Sequence, residues 1–175
     1  CFPKDIRALI KTADDKGYSL KILNAVEEVN NVQKEVLFHK ILKHFNQDLK
    51  NRVISIWGLS FKPNTDDMRE APALTIIQKL LEKKARINAY DPVAIKECRN
   101  RIGDVVNYTK DRYEALIDSE ALIVLTAWPE FRLLNYKVMG KLMKNKVLFD
   151  GRNIYDPAEL KEFGFTYYGI GRRTH

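Results

Sequence analysis

From Val53 to Tyr168 short apolar runs alternate with helix-forming stretches, and this rhythm restricts the possible folds more than any other feature of the chain. Val53 to Trp57 reads as a strand ended by Gly58. Pro72 to Lys84 reads as a helix, with Leu74, Ile77, Leu80 and Leu81 at helical spacing. The pattern then repeats as strand Arg86 to Tyr90, helix Ala94 to Asn100, strand Val106 to Tyr108, helix Arg112 to Asp118 and strand Ala121 to Thr126. Helix Tyr136 to Met143, strand Val147 to Asp150, helix Pro157 to Glu162 and strand Thr166 to Tyr168 complete it. Strands separated by helices of this size need crossover connections, and right-handed crossovers put helices on both faces of a parallel sheet. The expected fold is therefore α/β, a Rossmann-like, doubly wound parallel sheet. In such sheets ligands sit beyond the carboxyl ends of the strands, so the loops after Trp57, Tyr90, Thr126 and Asp150 are where function is sought.

Ahead of this region the grammar is purely helical. Lys4 to Lys16 predicts a short helix with Ile6, Leu9 and Ile10 on one side and Gly17 at its end. A second helix is predicted from Ser19 to about Phe45, with Ile22, Val26, Val29, Val36 and Ile41 recurring near the helical period. Some 26 residues at 1.5 Å each make a rod of roughly 40 Å, longer than a small domain needs. Two readings stand: packing against other helices or a second subunit, or an ordinary core-facing amphipathic helix. The expected division is residues 1–48 as a helical segment and 49–175 as the sheet domain.

The chain has 175 residues, 45% of them hydrophobic and 30% charged, which is enough for one substantial core. Its longest apolar runs, such as Ala121 to Thr126, fall far short of the roughly 20 residues of a membrane span. The amino terminus lacks the regions of a signal peptide, so a cytoplasmic protein is expected. Because the sequence starts with Cys inside what reads as a motif, a continuation upstream is also expected. Cys1 and Cys98 are too few for a disulfide framework or a zinc site; Cys98, between Glu97 and Arg99, is read as incidental. The net charge of +7 suits a phosphate-bearing ligand, but the cations are dispersed and form no basic stripe interleaved with aromatics. A nucleic-acid groove is not expected.

The loop after the first strand reads Gly58 Leu59 Ser60 Phe61 Lys62 Pro63 Asn64 Thr65 Asp66 Asp67 Met68 Arg69. It is no dinucleotide fingerprint: after Gly58 the other two glycines are missing, and Phe61 and Lys62 stand in the turn. Lys62 and Arg69 suit phosphate oxygens, although Asp66 and Asp67 are equally placed to pair with them. In Asp150 Gly151 Arg152 Asn153 a third cation projects from the same strand edge. Trp128 and Phe131, in the loop after Thr126, either line that edge or pack in a core. At the chain's start, Cys1 precedes a helix whose first turn holds Lys4 and Asp5. Helix dipole and lysine favour thiolate there, while a lone cysteine is more often inert. His39 and His44 fall on the long helix and are read as polar-face residues, which leaves a Cys–His hydrolase without support.

Taken together, Cys1 to Asp5, the Phe61 to Arg69 loop, the Tyr90 Asp91 Pro92 turn and the Asp150 Gly151 Arg152 turn resemble, in order, the motifs of the UDP-glucose and GDP-mannose dehydrogenase family. The resemblance spans essentially the whole chain. It implies NAD-dependent oxidation of a sugar C6 hydroxyl in two hydride transfers. The intermediate aldehyde would be captured by Cys1 as a thiohemiacetal, oxidised to a thioester and released by water. Asp5 then matches the carboxylate that positions or activates that water. Phe61, Lys62 and Arg152 match contacts to the UDP-sugar, and Arg69 matches an arginine that reaches NAD. The long helix matches the family's central dimerisation helix, and the NAD domain would lie upstream.

The Phe Pro Lys Asp segment after Cys1 speaks against the UDP-N-acetylmannosamine branch, and Trp128 Pro129 Glu130 Phe131 resembles the UDP-glucose branch. GDP-mannose stays open as a substrate. Two other classes also stand: a non-catalytic nucleotide-binding or dimerisation module, and an amino-terminal-nucleophile hydrolase using Cys1. The alternating pattern opposes the hydrolase, whose layers are antiparallel.

Overall fold

The computed structural model describes residues 2–172. It separates into two compact units, one ending at Val36 and the other beginning at Leu37. The division falls inside the second helix. Its cause is local: Leu37, Phe38, Ile41, Leu42, Phe45 and Leu49 are all buried in the core of the second unit.

The first unit holds helix α1 (Phe2–Asp14) and most of helix α2 (Lys21–His44). Gly17 ends the first helical segment in the left-handed region, at φ 73°, a conformation that costs glycine no Cβ clash. Arg7 of α1 is ion-paired with Glu27 of α2. Ile22, Val26, Val29 and Val32 are exposed, so this stretch carries an apolar stripe on its surface.

In the second unit six strands run in parallel: β1 (Val53–Trp57), β2 (Arg86–Tyr90), β3 (Asn107–Tyr108), β4 (Ala121–Val124), β5 (Val147–Asp150) and β6 (Thr166–Gly169). Their order in the sheet is β3-β2-β1-β4-β5-β6, the doubly wound arrangement that the sequence predicts. The connecting helices are α3 (Pro72–Glu82), α4 (Ile95–Ile102), α5 (Arg112–Leu116), α6 (Tyr136–Leu142) and α7 (Pro157–Glu162). Three of them start on side-chain caps. Asp111 accepts from the Tyr113 and Glu114 amides, Asn135 from Val138 and Asp156 from Ala158.

Alternate residues of each strand feed opposite cores. Ile54 and Ile56 of β1, Ile123 of β4 and Phe149 of β5 pack with Ile76, Ile77 and Leu80 of α3 and with the buried end of α2. Trp57, Leu122, Val124 and Leu148, from the same strands, join Leu116, Phe131, Met139 and Tyr155 on the other face. Phe131, set in a 3-10 turn at Pro129–Phe131, and Trp128 are thus core residues.

This packing adds to one sequence reading and corrects another. Cys98 is wholly buried in the core beside Ile87 and Ala89, and burial pushes its thiol pKa up, away from the reactive thiolate. His44 is half-buried, sharing a hydrogen bond of 2.8 Å through Nδ1 with the Tyr168 hydroxyl and set edge-on to Phe45 and Phe149. The reason is local: Tyr168 and Phe149, from β6 and β5, pack against its ring. No helix among the described residues is long and apolar enough to cross a membrane.

Candidate functional site

The strand order reverses direction between β1 and β4, so their diverging loops open a crevice at the carboxyl edge. Gly58 leaves β1 here with φ 90°, and a Cβ on it would stand 2.5 Å from the Thr126 Cβ and backbone nitrogen. Only glycine admits that approach. Thr126 then donates its hydroxyl to the Ser60 carbonyl at 2.5 Å, joining the β4 loop to the β1 loop. The strand itself stops at Val124, two residues short of the predicted end at Thr126.

The β1 loop closes on itself, the Phe61 amide donating to the Asp67 carbonyl at 2.8 Å. Phe61 packs part-buried against the first core, which leaves the next residue, Lys62, exposed at the crest of the loop with no ion pair to a described residue. Arg69 behaves differently. Its Nε and Nη2 grip both oxygens of Asp67 at 2.7 to 3.1 Å. The hydrogen bonds from Arg69 hold the Asp67 carboxyl well below the usual carboxylate range. Of the salt-bridged alternative that composition left open, the Arg69 half is realised and the Lys62 half is not.

Arg152 follows β5 and points back across the edge. Its Nε donates to the Leu125 carbonyl at 2.6 Å and its Nη2 to the Phe61 carbonyl at 3.2 Å, so one guanidinium ties the β4 loop to the peptide that leads into Lys62. Although the residue as a whole is exposed, the seating of its guanidinium against these two loops lowers its pKa from the ordinary arginine value by desolvation. Asp150 fixes the turn, accepting from the Arg152 amide at 2.9 Å and from the Tyr155 amide and Tyr167 hydroxyl at 3.1 Å. Arg152 and Phe61 therefore meet at one edge of the sheet, with the exposed Lys62 next in the chain and without an ion pair to a described residue.

Asp5 is exposed in the first turn of α1, in the first unit, and Cys1 lies outside the described residues. Sequence reasoning overlooked Thr126 and treated Asp91 only as part of a turn. Asp91 is almost completely buried and binds groups from three loops. Its signal was available, since an acid directly after the second strand of such a sheet is a recognised functional position. Beside these loops, Glu130 accepts from the Tyr90 hydroxyl at 3.3 Å and from Arg112 at 3.1 Å, and burial together with that carboxylate pushes the Tyr90 pKa up to about 12.

Residues 55–157 match the model of the UDP-glucose/GDP-mannose dehydrogenase family, UDP binding domain. The chain belongs to this family. It is 42% identical over 177 residues to a UDP-glucose 6-dehydrogenase of Pseudomonas aeruginosa, covering 98% of this chain and 39% of that protein. A UDP-glucose 6-dehydrogenase of Bacillus subtilis is also 42% identical, over 172 residues that make up 98% of this chain and 37% of the relative. Among solved structures, a UDP-glucose dehydrogenase from Pyrobaculum islandicum superposes with a TM-score of 0.84 at 33% identity, over 99% of this chain and 37% of that one. The chain thus spans about two fifths of the length of these relatives. Its relatives being dehydrogenases, the chain is part of an oxidoreductase family, and the matched region is its UDP-binding domain.

Proposed function

We propose that this chain is the UDP-sugar-binding part of an NAD-dependent UDP-glucose 6-dehydrogenase that makes UDP-glucuronate in the cytoplasm. The observation that carries this reading is the tie from Arg152 to the Phe61 carbonyl, which gathers Arg152 and Lys62 at the switch point of the sheet. Two cations there suit the pyrophosphate of a nucleoside diphosphate, Arg152 through directed N–H donors and Lys62 as a mobile point charge. Phe61 gives the loop a fixed apolar shoulder.

This sheet's own β1 loop does not fit a dinucleotide. It offers one glycine, and the acid after β2 that would face a ribose is taken up by protein donors. NAD would be held by a domain outside this chain, with Arg69 as the residue of this chain that reaches it after releasing Asp67. Cys1 is proposed as the nucleophile that holds the sugar through the second oxidation, with Asp5 placing the water that releases the acid. The exposed Ile22, Val26, Val29 and Val32 stripe of α2 supports pairing with a second copy through that helix. Without a dinucleotide site, the chain alone is expected to bind UDP weakly and to turn over nothing.

An NMR-detected titration with UDP and, separately, GDP tests the reading. UDP is expected to bind more tightly than GDP, and Lys62→Ala to weaken UDP binding about tenfold, the loss of one charged contact. Unchanged affinity in Lys62→Ala would refute the site, and preference for GDP would redirect the substrate to the GDP-mannose branch.

A further inference from the structure

We infer that Asp91 is the positioning residue of the substrate loop, a role that rests on the UDP-binding reading above. Its carboxylate receives five N–H hydrogen bonds from three loops, with the Ser60 hydroxyl close by. Oδ2 accepts from the Leu59 amide at 2.7 Å, the Ser60 amide at 3.1 Å and the Trp128 indole at 3.1 Å, and stands 3.3 Å from the Ser60 hydroxyl. Oδ1 accepts from the Val93 amide at 3.0 Å and the Ala94 amide at 2.8 Å.

The consequence is an exchange of roles at a familiar position. In a dinucleotide-binding sheet, glycines shape the β1 loop around the pyrophosphate and the acid after β2 faces the ribose hydroxyls. Here the acid is turned inward and its two oxygens are filled by protein donors, so it has nothing left to offer a ribose. What it does instead is replace the missing glycines as the determinant of loop shape. The two amides it grips immediately precede Phe61 and Lys62. The Ser60 hydroxyl, with its single proton, lies between Asp91 and the Lys62 carbonyl, 3.0 Å away. Thr126 holds the Ser60 carbonyl from the opposite side.

The backbone on both sides of Ser60 is thereby fixed from β2 and β4 at once. Lys62 itself has a flexible four-carbon stem and no ion-pair partner among the described residues. The placement of its Cα is therefore the means by which the protein aims the ammonium group. A buried acceptor bound by several N–H groups is also a rigid one, because losing any partner leaves an unpaired polar group inside.

The test is a double-mutant cycle on UDP affinity in the full chain, with Asp91→Asn and Ser60→Ala each made in the wild-type and Lys62→Ala backgrounds. Ser60→Ala removes the hydroxyl link without burying a new polar group, so it decides the matter even if Asp91→Asn fails to fold. With Lys62 present, Asp91→Asn is expected to weaken UDP binding about tenfold and Ser60→Ala about threefold. In Lys62→Ala both factors are expected to shrink below about twofold. A purely structural role would lower the melting temperature and weaken binding by the same factor in both backgrounds, and that result overturns the inference. So does an unchanged UDP affinity in both variants. If Lys62→Ala alone leaves UDP binding unaltered, the binding site is wrong, a failure distinct from that of Asp91.

Discussion

Replacing Arg152 with lysine separates the geometry of this edge from its charge. Arg152 makes two hydrogen bonds to loop carbonyls, at 2.6 Å to Leu125 and 3.2 Å to Phe61, from two arms of one planar group. A lysine keeps the positive charge but lacks the planar fork whose Nε and Nη2 donate in fixed, separate directions. Hydrogen bonds from charged donors contribute about 1.5–3 kcal/mol when sheltered. Because the residue as a whole is exposed, the lower part of that range applies, and Arg152→Lys should cost about 1–2 kcal/mol. For a chain of this size that is a fall of roughly 2–8 °C in melting temperature, readable by differential scanning calorimetry. Arg152→Ala, losing both bonds, should fall further. UDP affinity should follow another order, with the lysine variant closer to wild type than the alanine variant because it retains a cation. A melting temperature for Arg152→Lys within 1 °C or so of wild type would refute the idea that this guanidinium ties the two loops together.

Gly58→Ala should be among the most damaging single substitutions in the sheet unit, since it combines a left-handed φ of 90° with a Cβ 2.5 Å from Thr126. A loss of about 2–4 kcal/mol is expected, measured by urea denaturation with the slope unchanged. His44 has its pKa lowered by burial and then by Arg52, so the fold prefers the neutral ring. The stability this brings is present above the unfolded histidine pKa and is lost as pH falls through that value toward the folded one. Chemical denaturation from neutral pH downward should show the decline, and His44→Gln should flatten it. Ile22→Asp and Val29→Asp should shift the protein to monomer in sedimentation velocity while leaving the sheet's melting transition in place, if α2's exposed stripe is a subunit contact.

The sheet was legible because its signals are local. Each apolar run and each helix-forming stretch speaks for itself within a few positions. Lys62 and Arg152 were legible for a related reason, because strands of a parallel sheet all deliver their following loops to one edge. What the sequence could not display is which polar groups find each other across long separations. Asp67 and Asp66 were equivalent partners for Arg69 by spacing, and the choice of Asp67 depends on how the loop closes at Phe61. His44 looked like a surface residue because helical periodicity does not reveal that Tyr168 and Phe149, more than 100 positions further on, pack beside it. Asp91 and Trp128 are 37 residues apart in sequence, and no pattern joins an indole to a carboxylate at that range.

The most direct test of the account is a residue-by-residue map of amide shifts in the chain as UDP is added. The largest changes are expected in residues 59–62 and 151–153, with the strand starts at Val53 and Arg86, on the opposite edge, unmoved. Shifts centred on that opposite edge, or none at saturating UDP, would contradict the central claim that Lys62 and Arg152 together form the diphosphate site.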